Sequence, residues 1–290
     1  MKALLQGIVG KDIDYVDLSD NAFGPSGVPG FDFFIKSTPS IKVLKMINCG
    51  LGPFGGPKLA ECLIEGKLQL TEFYGSRNRL EDVGFKSVAE ALKQMGSLVS
   101  LEMMNNFAKK EGMIAMIDAC KSNPTLERIH IHDNWLKEEA IKEYVVLIES
   151  LDSLKSINIS DCDIGGLGVK KIIRALKNSK SKDVIEEVYC NYNDVERTKT
   201  AKFIFGVFRD CKNLKLVSFI GNMIKTQLKK EYMEEYEKAD KTLLLLDEEE
   251  ELDEDDDEEL SEEDEEGEDE ADEADPAKEL ETQLKDLKLE

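Results

Sequence analysis

One spacing recurs eight times between residues 13 and 222: apolar, two residues, apolar, one residue, apolar, two residues, then Asn or Cys. The anchor triplets are Ile13, Val16, Leu18; Ile41, Leu44, Met46; Leu70, Phe73, Gly75; Leu98, Leu101, Met103; Leu126, Ile129, Ile131; Leu154, Ile157, Ile159; Ile185, Val188, Cys190; and Leu214, Val217, Phe219. They lead in turn to Asn21, Cys49, Asn78, Asn106, Asn134, Cys162, Asn193 and Asn222. The period is 28 or 29 residues, except for one unit of 31 residues that holds Lys180, Ser181 and Lys182. A second register runs in phase with the first. Six residues beyond the ladder position stand Gly27, Gly55, Gly84, Gly112 and Gly168, with Ala140 in the fifth unit.

Such a spacing leaves little freedom. The apolar anchors point inward from a short strand and the turn before it. The Asn amide can satisfy backbone groups of adjacent turns that no strand reaches, and a Cys thiol can do so weakly. The Gly admits close packing or an unusual φ where the loop enters a helix. Val88, Ala89, Ala91 and Leu92 show the apolar stripe of that helix in the third unit. A unit of this kind buries its apolar face only against its neighbours. The pattern resembles the leucine-rich repeat in its long form, with a full helix per unit. The expected fold is an α/β leucine-rich-repeat solenoid, a horseshoe with parallel strands on the concave face and α-helices on the convex face.

The net charge of −23 is confined to one stretch. Residues 247–275 hold 23 Asp or Glu and no Lys or Arg, whereas residues 1–246 have 35 basic and 34 acidic side chains. Such a run cannot bury a core and repels itself, so disorder is expected there. The expected organisation is therefore a remnant helix or N-terminal cap over 1–12 and a repeat domain of about eight units over 13–246. Residues 243–246 would cap its end. An acidic tail follows over 247–275, then a leucine-rich segment over 276–290. The six Cys show no CxxC spacing and only His130 and His132 are present, so buried free thiols are expected and neither a metal site nor a disulfide framework. No stretch approaches the ~18 apolar residues of a membrane span, and the chain reads as intracellular.

Chemistry of its own is not expected. There is no glycine-rich phosphate loop, no metal-ligand spacing and no Ser/His/Asp constellation, so no cofactor is called for. The candidate surface is the loop leaving each strand. Its expected exposed positions are Ser19 and Asp20; Ile47 and Asn48; Ser76, Arg77 and Arg79; Met104 and Asn105; His132, Asp133 and Trp135; Ser160, Asp161 and Asp163; Asn191, Tyr192 and Asp194. Asn, Asp, Arg and aromatic groups on one rim suit a polar protein interface with a few anchors. Arg77 and Arg79 read as partner contacts, as a solvated rim pair, or as bridges to acidic neighbours such as Glu81 and Glu102. His130 and His132, two apart on a strand, share a face and read as structural or rim residues.

At these residues the sequence resembles a known family. Leu18 to Pro25 (LSDNAFGP), Gly50 to Pro53 (GLGP) and Arg77 to Glu81 (RNRLE) look like RanGAP, the GTPase-activating protein of the small GTPase Ran. The order of these blocks, the long repeats and the acidic run behind them match as well. The resemblance implies a protein that is not itself an enzyme. It would dock on Ran in its GTP form and make Ran's own glutamine orient the attacking water, with no inserted arginine finger. It implies that Asn48 holds that glutamine; the reading of the rim makes Asp20, Asn48, Arg77, Arg79, Asn105, Asp133, Trp135 and Asp161 the expected partner contacts. The family also carries earlier repeats with an essential Gly-Arg loop. Met1 to Gly10 has the spacing of the helix that would follow that loop, so truncation or loss of the arginine is expected.

The segment 280–289 has leucines at 280, 284, 287 and 289, a spacing similar to a leucine-rich nuclear export signal. With the resemblance it implies cytoplasmic residence, an association with the nuclear envelope, and a Ran-binding protein and exportin as further partners, without nucleic acid or a membrane span. The alternative is a non-catalytic acidic leucine-rich-repeat protein, either a Ran binder without activity or a histone-chaperone type. Proteins of that second type have shorter repeats, near 24 residues, and no full helix per unit.

Overall fold

The computed structural model describes residues 2–245. Nine three-residue strands form one parallel sheet in strict chain order. They are β1 Tyr15–Asp17, β2 Val43–Lys45, β3 Glu72–Tyr74, β4 Ser100–Glu102, β5 Arg128–His130, β6 Ser156–Asn158, β7 Glu187–Tyr189, β8 Leu216–Ser218 and β9 Thr242–Leu244. The middle residue of each strand from β1 to β8 is the second anchor of the repeat. These residues pair in register as Val16–Leu44–Phe73–Leu101–Ile129–Ile157–Val188–Val217 and on to Leu243. All of them up to Val217 are buried. The register follows from the pleat, because a slip by one residue would turn every anchor to the opposite face.

Helices return the chain between strands: α1 Lys2–Gln6, α2 Gly24–Gly27, α3 Asp32–Lys36, α4 Gly52–Glu65, α5 Glu81–Lys93, α6 Lys110–Lys121, α7 Glu138–Ser150, α8 Gly165–Asn178, α9 Thr198–Asp210 and α10 Thr226–Lys238. Each long helix buries one stripe against the sheet and its neighbours, as with Phe85, Val88, Ala89, Ala91 and Leu92 of α5. Packed helices need ~8–10 Å between axes and paired strands only ~4.8 Å. The mismatch curves the stack, with strands inside and helices outside. The result is the α/β leucine-rich-repeat solenoid.

The first unit departs from one full helix per repeat. Its return is broken into α2, a 3-10 turn at Val28–Gly30 and α3. Pro25, Pro29 and Gly30 interrupt the helix, and Phe31 and Phe34 fill the space, both essentially fully buried. At the other end the apolar run beyond α10 contributes β9, where Phe219 N–H donates to the Leu244 carbonyl at 2.7 Å and Leu245 is buried.

The glycines six beyond the ladder work by close packing and not by unusual φ. A Cβ on Gly55 would lie 2.9 Å from Leu51 Cβ, and one on Gly112 2.7 Å from Asp82 Oδ1. The tightest approach is at the neighbouring Gly56, where a Cβ would lie 2.7 Å from the Gly84 carbonyl oxygen and nearer still to its Cα. All six cysteines are free and buried. Burial pushes the Cys49 and Cys62 thiols up to about 11 and Cys120 and Cys162 up to about 12.

Candidate functional site

Behind each strand the chain must turn toward a helix within a few residues. It does so through a left-handed residue placed immediately before the ladder position. Asp20, Asn48, Arg77, Asn105, Asp133, Asp161 and Tyr192 have φ between 50° and 58°, and Gly221 has 66°. Asn, Asp and Gly tolerate this conformation; Arg and Tyr do so only at a cost of roughly 1–2 kcal/mol. The turn forces each of these residues onto the rim. Their backbone N–H groups point along the stack, from Asp20 to the Ile47 carbonyl, Asn48 to Ser76, Arg77 to Met104 and Asp133 to Ser160, at 2.8 to 3.0 Å.

The ladder residue under each rim residue locks the turn. Asn78 Nδ2 donates to the carbonyls of Met46, Gly75 and Ser76 at 2.6, 3.0 and 3.1 Å, while its Oδ1 accepts the Cys49 N–H at 3.0 Å. Asn106 repeats this against Gly75, Met103 and Met104 and accepts from Asn78. Asn134, Asn193 and Asn222 do likewise. Cys49 and Cys162 offer only a thiol, to Leu18 O at 3.2 Å and Ile131 O at 3.8 Å. Among the described residues the Asn21 amide group bonds only within its own turn, to the Leu18 and Ser19 carbonyls.

Two rim positions expected at the surface are buried, Ser76 and Ser160. Their hydroxyls accept the N–H of the corresponding residue one unit on, Met104 at 3.2 Å and Asn191 at 3.0 Å. Ser19 does the same for Ile47 at 3.1 Å, and Asn191 Oδ1 for Ile220 at 2.8 Å. This second polar ladder stands in one register of the sequence as Ser19, Ser76, Ser160 and Asn191, interrupted by Ile47, Met104 and His132. Alternation along a strand hides it, because the left-handed residue that follows breaks the period.

The groups left at the surface form a row. Asp20, Asn48, Arg77, Arg79, Trp135 and Asp161 are exposed, and Asn105 and Asp133 are half-buried. Asn48 Nδ2 donates to Asp20 Oδ1 at 2.9 Å. An ionised carboxylate only accepts, so this contact fixes which way the amide faces. Asn48 Oδ1 takes no hydrogen bond from the described residues and is presented outward. Asn105 is held in the same way by Asp133. Between these two pairs stand Arg77 and Arg79, both left-handed. Neither guanidinium has an ion-pair partner among the described residues; Glu102 is instead the acceptor for the Ser76 hydroxyl. The bridging reading of the two arginines is therefore set aside.

Further along, the rim turns acidic and aromatic. Phe107, Asp133, Asn134, Trp135, Asp161 and Asp163 line a shallow pocket. The Phe107 and Trp135 rings are 6.3 Å apart, and Lys109 Nζ lies 5.7 Å from the Trp135 ring centre. Desolvation, then the charges of Asp133 and Asp163, push the Asp161 carboxyl above its ordinary value. Lys137 pairs with Asp163. Phe107 is a rim residue that the sequence reading passed over. Its signal was its place one beyond the ladder, in register with Arg79 and Trp135.

His130 and His132 do share a face, with ring centres 6.2 Å apart. His130 meets Ser156 Oγ at 2.9 Å and Arg128 Nη1 at 3.3 Å, and burial, then Arg128 and His132, lower its pKa to about 3. Among the described residues no cluster of His, Cys, Asp or Glu could hold a metal ion, and no helix is long and apolar enough to cross a membrane. The acidic run 247–275 and the segment 276–290 lie outside the described residues.

Comparison with known proteins adds a further line. A Leucine Rich repeat family model matches residues 151–172. The chain is similar to a Ran GTPase-activating protein of Drosophila melanogaster, 36% identical over 127 residues, 40% of this chain and 21% of that protein. It is 42% identical over 108 residues to Ran GTPase-activating protein 1 of Xenopus laevis, covering 33% of this chain and 19% of the relative. Ran GTPase-activating protein 1 of Saccharomyces cerevisiae matches at 34% over 96 residues, 28% of this chain and 24% of that one. The matched stretch thus spans about a fifth of the length of these relatives. The chain is a leucine-rich-repeat protein similar to Ran GTPase-activating proteins.

Proposed function

We propose that this chain is a GTPase activator of the Ran type, docking on the GTP form of a Ran-like GTPase through the strand-to-helix rim. The observation that carries the reading is the amide of Asn48, oriented by Asp20 so that its carbonyl oxygen faces out of the rim. A glutamine side chain of the partner can donate its N–H₂ to that oxygen. Held so, the glutamine is positioned to orient the attacking water. Catalysis of this kind is positional and electrostatic, and needs no bond to any residue of the activator. The similarity to three Ran GTPase-activating proteins supports the choice of partner.

The remaining rim supplies recognition. Arg77 and Arg79 sit where planar, forked donors can meet carboxylates of a partner. The pocket of Phe107, Trp135, Asp133 and Asp161 suits a basic side chain with an apolar stem. The chain's location in the cytoplasm, maintained by export through the leucines at 280–289, belongs to the same proposal. A fluorescent protein fused to 276–290 should be cytoplasmic and should redistribute when exportin is inhibited.

The test is single-turnover GTP hydrolysis by Ran, with and without this protein at saturating concentration. A stimulated rate is expected, and an unchanged rate defeats the activity while leaving binding to be measured separately.

A further inference from the structure

The first residues of the strands form a row across the concave face, and Glu72, Ser100, Arg128, Ser156 and Glu187 stand side by side in it. Ser100 is a short residue between two long ones. A cavity of about 320 Å³ opens there, with Val99 beside Ser100, Glu72 and Tyr74 on one flank, and Arg128 and Ser156 on the other. It belongs to the strands, whereas the rim row lies on the turns that follow them.

Two serines of this row have opposite surroundings. Ser156 Oγ bridges its neighbours, 2.8 Å from Glu187 Oε2 on the next strand and 2.9 Å from His130 Nε2 on the strand before. Ser100 holds the equivalent place two strands back. It is only 7% exposed, yet its hydroxyl makes no hydrogen bond of ordinary length among the described residues. Folded proteins rarely leave a buried hydroxyl in that state. The bridge fails because the next strand offers Arg128, a donor, in place of a carboxylate. The Arg128 guanidinium also reaches away from Ser100, with Nη2 3.4 Å from Glu187 Oε2 and Nη1 3.3 Å from His130 Nε2.

The charges around the cavity define what is missing. Its two cations already have carboxylates, Lys155 with Glu127 at 2.9 Å and Arg128 with Glu187. Lys45 Nζ lies over the Tyr74 ring, 4.6 Å from its centre. Glu72 accepts the Tyr74 hydroxyl at 2.6 Å and has no cation partner among the described residues. Glu102, close enough to Tyr74 to act on its phenol, accepts the Ser76 hydroxyl and has no cation partner among them either. Burial, then the bond to Glu72, raise the Tyr74 phenol. It therefore stays protonated, directs its one proton to Glu72 and keeps lone pairs for another donor. Glu72, Tyr74 and Ser100 thus gather acceptors on two adjacent strands, with net negative charge and too few donors.

We propose that this cavity is a second recognition site, on the concave face, for the guanidinium of an arginine carried by an extended segment of a protein partner. A guanidinium has five donors in a planar fork. It can meet acceptors on two strands ~4.8 Å apart at once, which the compact ammonium of lysine does less well. Its charge compensates Glu72, and one of its N–H groups gives the Ser100 hydroxyl the partner it lacks. The site is independent of the rim, since neither Asn48 nor the GTPase reading enters it.

The experiment titrates the full isotope-labelled chain with acetyl-Gly-Arg-Gly-amide and follows its backbone amides by NMR. Saturable shifts centred on Glu72, Tyr74, Ser100 and Arg128 are expected, with an affinity on the order of millimolar for one partly exposed charge pair. Reading the shifts residue by residue separates this site from general attraction of a cation to a chain of net charge −23. The same peptide with citrulline, uncharged and of similar shape, should bind at least ~10-fold more weakly, and the lysine peptide several-fold more weakly. Glu72→Gln should weaken binding by ~10-fold and Ser100→Ala by several-fold. Asp17→Asn, the same change of charge on β1, should leave it unchanged. Ser100→Ala removes a hydroxyl with no ordinary hydrogen bond, so its spectrum should stay dispersed and otherwise like wild type. Shifts spread over acidic residues at large, or none that saturate at the cavity, overturn the proposal. So does equal binding of the citrulline or lysine peptide, an unchanged affinity in Ser100→Ala, or a loss in Asp17→Asn as large as in Glu72→Gln.

Discussion

The Asn48 amide nitrogen lies 2.9 Å from Asp20 Oδ1, one repeat back along the rim. The contact costs the fold little and is exposed, so its value lies in orientation. Asn48→Ala should lower the stimulated single-turnover rate by about 10²-fold, the scale of losing one positioned polar group at a reacting centre. Asp20→Ala frees the amide to rotate and should cost less, on the order of several-fold, without loss of Ran binding. Rapid-mixing phosphate release at saturating activator would read both. An Asn48→Ala variant as active as wild type would remove Asn48 from the mechanism.

Below that rim the ladder predicts stability differences between residues in equivalent places. Asn106→Ala leaves the buried Asn78 N–H without its acceptor and takes one of two donors from each of the Gly75, Met103 and Met104 carbonyls, which keep Asn78 Nδ2, Asn134 Nδ2 and the Arg77 N–H. With one buried N–H left unpaired at about 1–3 kcal/mol and the carbonyls each keeping a donor, a loss of roughly 2–4 kcal/mol is expected. Cys162→Ala removes one long thiol contact to Ile131 and should cost about 1 kcal/mol. Urea unfolding followed by circular dichroism would compare them. Similar midpoints for the two variants would contradict the account of the ladder.

How much of this was legible before the fold was seen depends on the period of each feature. Leu101 and its counterparts were readable because one anchor spacing fixes both strand and register. Asn78 was readable as a rung because it recurs in phase. Ser76 and Ser160 were misread as surface because a left-handed residue follows each of them and reverses the side on which the next side chain emerges. The broken return of the first unit was spelled out by Pro25, Pro29 and Gly30, yet repeat averaging suppressed it. The partnership of Asn48 with Asp20 spans 28 residues and was beyond any local pattern. The resemblance pointed to Asn48, whereas only the fold shows what holds its amide.

Close packing between α4 and α5 gives a third expectation. A methyl group on Gly56 would overlap the Gly84 backbone, and backbone cannot rotate aside as a side chain can. Gly56→Ala should destabilise by about 1–3 kcal/mol through overpacking, despite the better helix propensity of Ala. Gly30→Ala is the control, since nothing lies within 4 Å of its added Cβ; it should be neutral within about 0.5 kcal/mol. Thermal melts of both would decide the point, and a neutral Gly56→Ala would mean that the helices can separate freely.

The buried His130 makes stability depend on pH in a definite direction. Its folded pKa is lowered from 6.5 to about 3, chiefly by desolvation. Between those values the unfolded chain binds a proton that the folded chain refuses. Stability from this group is thus complete above about pH 6.5 and falls as pH drops toward 3, by at most about 1.4 kcal/mol per unit. His132 is lowered in the same sense by burial and adds to the slope. Asp161 acts oppositely, because its raised pKa favours the folded state at lower pH, but it is exposed and its share is small. Replacing His130 by Gln, which keeps a donor for Ser156 and cannot titrate, should flatten the fall between about pH 6.5 and about pH 4.5, the upper part of the His130 window. Urea midpoints measured across that window would show the flattening, and an unchanged slope would place the titration elsewhere.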